Sequence, residues 1–492
     1  MQLLFLSGYS RYILVCMKNY KEIADEIIRN AVISGAVFSQ FDQEQTDAIV
    51  KKVFEAGFNS RIKLAKMAAE ETGLGVWQHK VIKNVVGTYL VYESIKNEKT
   101  AGVIAVDHNT GMVEIAQPIG PVFGIIPVTN PTSTVMFKIL ITLKSRNPII
   151  ISPPRKAPNC CGEAVRICYE AAIAAGAPED CIQILPETNR DLTHEFMVHP
   201  KTALILATGG TGLVHAAYSS GNPALGVGPG NVPVFIDKSA DIPFAVESII
   251  SSKTFDNGTI CASEQAIVCE KAIAAPLVSE LEKQGCYYLS DEQIEKLEKV
   301  VFNKEKGTMS GDIVGKSVDF IASLAGISVP AGTKILIAPQ KNIGKDFPLS
   351  QEILAPILAF YKASNYHSAI KLCIDLNYLG GIGHTACIYA NDEKRILDYS
   401  KLMNAGRVLV NTPSAQGAVG GIYNNLHTSL TLGCGSGGKN ITTENVSAHH
   451  LINIQRVCRR TKNEKWFAFD EMKFFDDSLS TDQIISDYNK NY

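Results

Sequence analysis

Cys261 is the residue of this sequence best suited to act as a nucleophile. It stands in the small and polar segment Thr254–Gln265, directly before the apolar strand pattern Ala266–Cys269. A thiol where a loop enters a strand is reachable, and its thiolate attacks a carbonyl carbon. The competing interpretation, a small buried hydrophobe, is the one we assign to the other cysteines of the chain.

Asn130 is the second candidate. It lies in the segment Pro127–Ser133, where an apolar strand ends and a helix begins with Pro131 at its first position. Its amide could donate a hydrogen bond to an oxyanion near the positive end of that helix. On spacing alone, a role as the helix N-cap is the favoured alternative.

Two glycine-bearing turns and one carboxylate could contact a nucleotide. The turn Leu206–Gly212 follows a strand and precedes a helix, so its backbone could approach a pyrophosphate. The turn Gly226–Asn231 precedes a strand, and neither turn has the GxGxxG spacing. Glu352 precedes an apolar strand and could accept hydrogen bonds from a ribose, although an isolated glutamate is more often simply solvated. His384 follows a glycine, where a structural role is favoured over proton transfer.

The composition excludes several classes of protein. The 492 residues are 46% hydrophobic and 20% charged, which is typical of globular domains and excludes wholesale disorder. A net charge of -2 argues against a nucleic-acid binder. The 12 cysteines have no regular spacing, which indicates free thiols in a reducing compartment, and no zinc-type cluster is found, so we predict no metal. No apolar run reaches the roughly 18 residues that a membrane span requires.

The elements that must position these residues alternate in type. Residues 18–100 have helical periodicity, and Val103–Val106 and Met112–Ile115 flank a hairpin signal. From 119 to 237, and again from 238 to about 412, short apolar runs alternate with helical stretches, which predicts an α/β fold with parallel sheets. Residues 1–16 are interpreted as a loose extension.

Together these segments resemble the aldehyde dehydrogenase family, and more closely its CoA-acylating branch, from about residue 18 to 467. The resemblance rests on Pro118–Pro121, Pro127–Thr132, Asn257–Gln265, Gly383–Thr385, Asn411–Ser414 and Ser429–Gly435. It implies two Rossmann-like parallel-sheet domains with a β-hairpin oligomerisation arm. The implied units are a dinucleotide-binding domain (17–102 and 118–237), the arm (103–117 and 430–460), a catalytic thiol domain (238–429) and a C-terminal tail (461–492).

The resemblance also implies roles for individual residues. Cys261 is the nucleophile, and Asn130 forms the oxyanion hole with the Cys261 backbone N–H. Thr208, Gly209 and the helix that follows, with Thr211 as a supporting contact, meet the dinucleotide pyrophosphate. Glu352 holds the nicotinamide ribose.

Departures from the family pattern refine the predicted activity. Hydrolytic members carry a water-activating glutamate where this chain aligns Ala224, so a thioester would survive until CoA removes the acyl group as acyl-CoA. The lysine that contacts the adenosine ribose is replaced by Ser152, which leaves NAD or NADP open. Arg155 could meet a phosphate of the nucleotide or of CoA.

The predicted reaction is acetaldehyde + CoA + NAD to acetyl-CoA + NADH. Propionaldehyde, butyraldehyde and sulfoacetaldehyde stay open as substrates. Alternatives are a hydrolytic enzyme that uses Glu264 as a relocated base, and a non-enzymatic scaffold. We expect a homodimer or higher homo-oligomer in the cytoplasm or in a bacterial microcompartment, with a separate alcohol dehydrogenase as a partner. Residues 480–488 are a candidate targeting helix, although a frayed tail is the favoured alternative.

Overall fold

A computed structural model describes residues 19–303 and 307–490. The predicted N-terminal extension, residues 1–16, lies outside the described residues. No helix in the described part of the chain is both long and apolar enough to cross a membrane. The described residues divide into two units, 19–101 with 117–453, and 102–116 with 454–490.

The first unit begins with the predicted helical region. Capping boxes start its first two helices, at Asn19 with Glu22 and at Asp42 with Gln45, and satisfy backbone N–H groups that would otherwise lack partners. The α-helices are Tyr20–Phe38, Gln43–Asn59, Arg61–Thr72, Trp77–Val85 and Val91–Ile95, and a π-helical turn, Val86–Leu90, separates the last two.

A parallel sheet of five strands follows, as the alternating pattern predicts. In spatial order the strands are Ile182–Ile184, Ile149–Ser152, Val122–Ile125, Leu204–Thr208 and Ala224–Val227. The strands Val122–Ile125 and Ile149–Ser152 are buried along their whole length because helices cover both faces of a parallel sheet. The helices between these strands are Pro131–Lys144, Pro158–Ala174, Arg190–Val198 and Thr211–Tyr218.

A second parallel sheet has seven strands. In spatial order these are Cys286–Tyr288, Ile335–Pro339, Ile357–Ala363, Glu264–Glu270, Val232–Ile236, Gly383–Tyr389 and Ala405–Val410. The accompanying α-helices are Ile242–Thr254, Lys271–Lys283, Asp291–Val301, Val318–Ala325, Tyr366–Gly380, Glu393–Leu402 and Ser414–Ala418, and a short hairpin pairs Phe302–Asn303 with Thr308–Met309.

The domain boundary expected at residue 237 falls one strand too late. Val232–Ile236 was assigned to the dinucleotide-binding domain, but it pairs in parallel with Glu264–Glu270 and with Gly383–Tyr389. The sequence pattern could not decide this, because an apolar strand fits either sheet equally well and only its hydrogen-bond partners distinguish them.

The second unit contains the predicted hairpin, Gly102–Asp107 with Met112–Pro118, and its sheet continues with Ile452–Val457. The helices Glu464–Ala468 and Thr481–Asn489 follow, and Ser480 caps the latter. Residues 430–453, expected to form part of the arm, belong instead to the first unit. The reason is that their loops bond to its core: Asn440 donates to the Gly226 carbonyl, and Arg407 donates to that of Gly433.

Candidate active site

Cys261 lies at the amino edge of the seven-stranded sheet, in the loop that enters the strand Glu264–Glu270. Parallel strands of this sheet begin at the same edge, so Gly230, which precedes Val232–Ile236, and His384, the second residue of Gly383–Tyr389, come close to the Cys261 loop. A Cβ on Gly230 would lie 2.3 Å from the Cys261 carbonyl oxygen and 3.2 Å from the His384 ring. Glycine is therefore required at position 230 for this approach.

The surroundings of Cys261 hold its thiol in the protonated form. Burial, and to a smaller extent the nearby Glu352 carboxylate, raise its pKa to about 12. Arg407 and the backbone N–H of Cys261 itself act in the opposite direction. Formation of the thiolate consequently depends on a change in this environment, such as the arrival of a positive charge.

Asn130 follows the strand Val122–Ile125 of the other sheet and directly precedes the helix Pro131–Lys144. It occupies the N-cap position, but its side chain makes no capping hydrogen bond. Its Oδ1 instead accepts a hydrogen bond of 2.6 Å from Nζ of Lys83. With the oxygen engaged in this way, the amide hydrogens on Nδ2 are the donors that remain for a ligand. The capping alternative thus does not describe this side chain.

Lys83 belongs to a buried charge cluster that sequence reasoning missed. Its Nζ forms an ion pair with Asp256, and Lys80 approaches the same carboxylate oxygen at 3.0 Å. Lys83 also donates to the Thr259 hydroxyl at 3.0 Å, so it touches the catalytic loop two residues before the thiol. Burial lowers the pKa of Lys83 to about 8, against the opposing pull of Asp256.

The same cluster holds the start of the Cys261 loop in an uncommon backbone conformation. Asp256 and Asn257 adopt left-handed backbone angles, with φ of 50° and 53°. Such angles are uncommon outside glycine and persist when surrounding contacts fix them. The contacts here are the two lysines and the Val76 N–H, which donates to Asp256 at 2.7 Å. Two lysines three positions apart on a helix give no sequence signal of this role, since exposed helices carry the same spacing.

The residues predicted to bind a dinucleotide lie at the carboxyl edge of the five-stranded sheet. Thr208 ends its strand, and Gly209 joins it to the helix Thr211–Tyr218, whose first residue is exposed. A Cβ at Gly209 would lie 2.7 Å from Cδ2 of Leu213, so glycine leaves room for this side chain in its present position. An open helix N-terminus after a strand and a glycine turn fits a pyrophosphate.

Glu352 lies close to the Cys261 loop. Its Oε1 accepts a hydrogen bond of 2.9 Å from the Gly230 N–H, and burial raises its pKa to about 7. Ser152 ends the strand Ile149–Ser152, buried, with its hydroxyl 3.3 Å from that of Thr193. Arg155 is exposed just beyond it.

Neither expected position for a water-activating base fits that role. Glu264 is fully buried, accepts a hydrogen bond of 2.8 Å from the Ser414 N–H, and has its pKa raised to about 7 by burial. Ala224 begins its strand opposite Ile205, and the close approach to the Cys261 loop is made further along, at Gly230. Residues 227–230 carry no ionisable side chain.

His384 is buried and neutral. Burial and the Arg407 charge lower its pKa to about 3. Its Nδ1 lies 2.9 Å from the Thr385 hydroxyl, and no group of residues 19–303 and 307–490 hydrogen-bonds to its Nε2. A neutral imidazole with an unpaired buried nitrogen beside Gly230 can exchange a hydrogen bond with a bound substrate.

Comparison with known proteins gives consistent matches. Residues 10–287 match the model of the aldehyde dehydrogenase family. The bifunctional aldehyde-alcohol dehydrogenase AdhE of Escherichia coli (strain K12) is 43% identical over 92% of this chain, which covers 51% of that protein. The chain therefore spans about half the length of this curated relative.

Two solved structures have the same fold. An acetylating aldehyde dehydrogenase from Geobacillus thermoglucosidasius is 45% identical with a TM-score of 0.88, over 90% of this chain and 98% of that one. A propionaldehyde dehydrogenase from Rhodopseudomonas palustris, solved with bound CoA and an acylated cysteine, is 28% identical with a TM-score of 0.79, over 89% of this chain and 97% of that one.

Proposed function

The chain belongs to the aldehyde dehydrogenase family, and we propose that it oxidises a small aldehyde to an acyl-CoA through a thioester on Cys261. One observation carries the proposal. Hydrogen bonds of Lys83 connect the Asn130 amide to Thr259, two residues before Cys261 in the same loop, while Gly230, which approaches that loop, and residues 227–229 before it carry no base for hydrolysis.

Cys261 forms the covalent bond. Its thiolate sulfur adds to the aldehyde carbon, and the oxygen becomes an oxyanion that Asn130 Nδ2 and the Cys261 backbone N–H stabilise. Thr208, Gly209, Thr211 and Glu352 would hold a nicotinamide cofactor, which would supply the hydride acceptor needed to convert this adduct into a thioester on Cys261. The sulfur of CoA then attacks the same carbonyl carbon, its proton leaves to solvent, and the bond to Cys261 breaks.

The thiol environment explains why the first step would wait for the cofactor. A protonated thiol is a poor nucleophile, and the pKa of Cys261 is raised to about 12. The positive charge of an oxidised nicotinamide near the sulfur would lower this pKa, and a protonated Glu352 would stop opposing the change.

Lys83 acts on this reaction through Asn130. Its ammonium bond to Oδ1 fixes the orientation of the amide, so the donor side faces the oxyanion without reorganising during the reaction. Its ion pair with Asp256 couples the same orientation to the catalytic loop. We therefore treat Lys83 as a positioning residue.

The decisive experiment measures NADH formation from acetaldehyde with and without CoA, together with the acid and thioester products. We expect multiple turnovers only with CoA, acetyl-CoA in equal amount to NADH, and no activity in Cys261→Ala. Cys434→Ala is the matched control, because Cys434 is a buried thiol in the same region. Multiple turnovers to free acid without CoA would reject the acylating assignment and direct attention to Glu352 as the base.

We propose NAD as the cofactor. Ser152 presents no positive charge to a 2′-phosphate, and its hydroxyl is held near Thr193. Arg155 is the residue that would favour NADP, since it is exposed next to this position. The ratio of kcat/KM for NAD and NADP tests the proposal, and a higher value for NADP that falls in Arg155→Ala would contradict it.

The substrate, partners and location follow from the same proposal. We take acetaldehyde as the substrate, with propionaldehyde, butyraldehyde and sulfoacetaldehyde as the comparison panel. A separate alcohol dehydrogenase is the proposed partner, and the cytoplasm or a microcompartment the proposed location. Val103, Val106, Ile454 and Val457 expose apolar surface on the three-stranded sheet, which supports homo-oligomerisation. Light scattering after gel filtration should give at least a dimer, and a monomer would contradict this.

A further inference from the structure

Glu98, His427 and His449 come from distant parts of the chain and meet at one point. The Glu98 carboxylate lies 3.6 Å from Nδ1 of His427 and 3.7 Å from Nδ1 of His449. One donor atom from each residue falls within 4.8 Å of the others. We propose that these three side chains bind a divalent transition metal ion, with Zn²⁺ as the best match.

The donor spacing is close to that of a tetrahedral site. Zinc binds imidazole nitrogen and carboxylate oxygen at about 2.0–2.2 Å, so two ligands on a tetrahedron stand roughly 3.4 Å apart. The distance is 3.6 Å from Oε1 of Glu98 to Nδ1 of His427 and 3.7 Å from Oε2 to Nδ1 of His449, each within a few tenths of an ångström of this value. A small rotation of the half-exposed His427 would complete the site. The ion would then replace the contact of its Nδ1 with the Ser94 hydroxyl at 3.3 Å.

Outer contacts already orient two of the three ligands. Nε2 of His449 lies 3.2 Å from the Glu444 carboxylate, which can accept its N–H and leave the Nδ1 lone pair pointing towards Glu98. This carboxylate–histidine arrangement is a common support of metal ligands. Glu98 is fixed by the Ser447 hydroxyl at 2.7 Å and by the His449 backbone N–H at 3.1 Å.

The adjacent His450 is excluded as a ligand by its hydrogen bonds. Its Nδ1 accepts the backbone N–H of Ser447 at 3.1 Å, so the neutral ring carries its hydrogen on Nε2. That Nε2 faces Glu444 at 3.4 Å, as a donor. In the alternative group of Glu444, His449 and His450, the ring of His450 therefore has no free nitrogen lone pair for a metal ion. His450 provides a matched control for His449.

The chemistry of the ligand set indicates which ions bind. Two imidazoles and one carboxylate suit zinc and its neighbours in the transition series, rather than calcium or magnesium, which prefer oxygen ligands. The site would cross-link segments that are 351 positions apart, at Glu98 and His449. Its effect would be on the stability of this region, since none of its ligands contacts Cys261 or Asn130.

Titration of the metal-free, tag-free protein with Zn²⁺ tests the proposal by calorimetry, and Co²⁺ absorption reports the coordination. We expect one Zn²⁺ per chain and an intense four-coordinate Co²⁺ spectrum. Glu444→Ala should weaken binding about 10- to 100-fold as an outer-shell change, and His427→Gln and His449→Gln should weaken it more. His450→Gln should bind as the unmodified protein does.

Three outcomes would overturn the proposal. One is that the unmodified protein binds no zinc. The second is that His427→Gln binds zinc as tightly as the unmodified protein does. The third is that His450→Gln loses as much affinity as His449→Gln. The circular dichroism spectrum of each variant shows whether it is folded, and His427→Gln is the safest because that side chain is half exposed. These measurements do not involve the dehydrogenase reaction, so their failure leaves the proposed function untouched.

Discussion

Replacing Lys83 by methionine tests whether this lysine positions the oxyanion donor. Methionine keeps most of the length and removes the charge, so Asn130 loses its 2.6 Å anchor. A hydrogen bond from a charged donor contributes about 1.5–3 kcal/mol. The orientation of the Asn130 amide that this bond fixes matters most in the transition state. We therefore expect kcat to fall about 10- to 150-fold, with a smaller change in the KM for the aldehyde.

The expected loss has an upper limit and a matched control. Removing an oxyanion donor altogether, as in Asn130→Ala, should lower kcat about 100- to 1000-fold. Lys80→Met removes a partner of the same Asp256 carboxylate, at 3.0 Å, and a bond to the Thr129 carbonyl at 3.3 Å, but leaves the Lys83 bond to the Asn130 side chain in place. Both lysine variants should lose about 1–3 kcal/mol of folding stability, because each removes one partner of a buried carboxylate. The loss is limited because Asp256 keeps the other lysine and the Val76 N–H.

The assay is a double-mutant cycle on NADH formation at saturating CoA, with a melting temperature for every variant. If Lys83 acts through Asn130, adding Lys83→Met to Asn130→Ala should change kcat by no more than about twofold. Lys80→Met should melt earlier but turn over almost normally. The reasoning fails if Lys83→Met costs the same factor in both backgrounds, or if Lys80→Met lowers kcat equally.

Three further changes probe the thiol and its surroundings. Gly230→Ala should lower activity strongly and cost about 1–3 kcal/mol, because a Cβ would lie 2.3 Å from the Cys261 carbonyl oxygen; unchanged kcat and melting temperature would refute the packing argument. Glu352→Gln should speed iodoacetamide alkylation of Cys261 severalfold at pH 8, because the lost negative charge no longer raises the pKa of the thiol; an unchanged rate would show that this charge does not act on the sulfur. Glu264→Gln should stabilise the protein at pH 8 and less so at pH 5. The folded-state pKa of Glu264 is raised to about 7, so keeping this carboxylate ionised in the folded protein costs free energy above that pH. Between the unfolded-state pKa and the folded-state pKa, folding takes up a proton, and the protein therefore gains stability as the pH falls. Denaturant melts at both pH values measure this, and equal shifts would contradict it.

Much of the fold follows from local signals in the sequence. Apolar runs of strand length alternate with helical periodicity, and this predicted the two parallel sheets, the helix Thr211–Tyr218 at its observed bounds and the hairpin at Gly102–Pro118. Cys261 and Asn130 could also be singled out, because each stands at a junction between a loop and a regular element. These are short-range properties, and neighbouring residues determine them.

What the sequence could not decide depends on contacts between residues far apart in the chain. The strand Val232–Ile236 was placed in the wrong sheet, since its apolar residues suit either and only pairing with Glu264–Glu270 assigns it. Lys83 gives no local signal, because its role exists only where it meets Asn130 and Asp256.

The side chains at the proposed zinc site show the same limit. No spacing typical of a metal site joins Glu98 to His427 and His449, so sequence analysis predicted no metal. Chain folding brings them within coordination distance. The sequence by itself determined which segments form strands and helices and where the candidate nucleophilic thiol lies. The tertiary structure alone decided which charges that thiol and its amide partner face, because electrostatic and hydrogen-bonding effects depend on distance in space rather than along the chain.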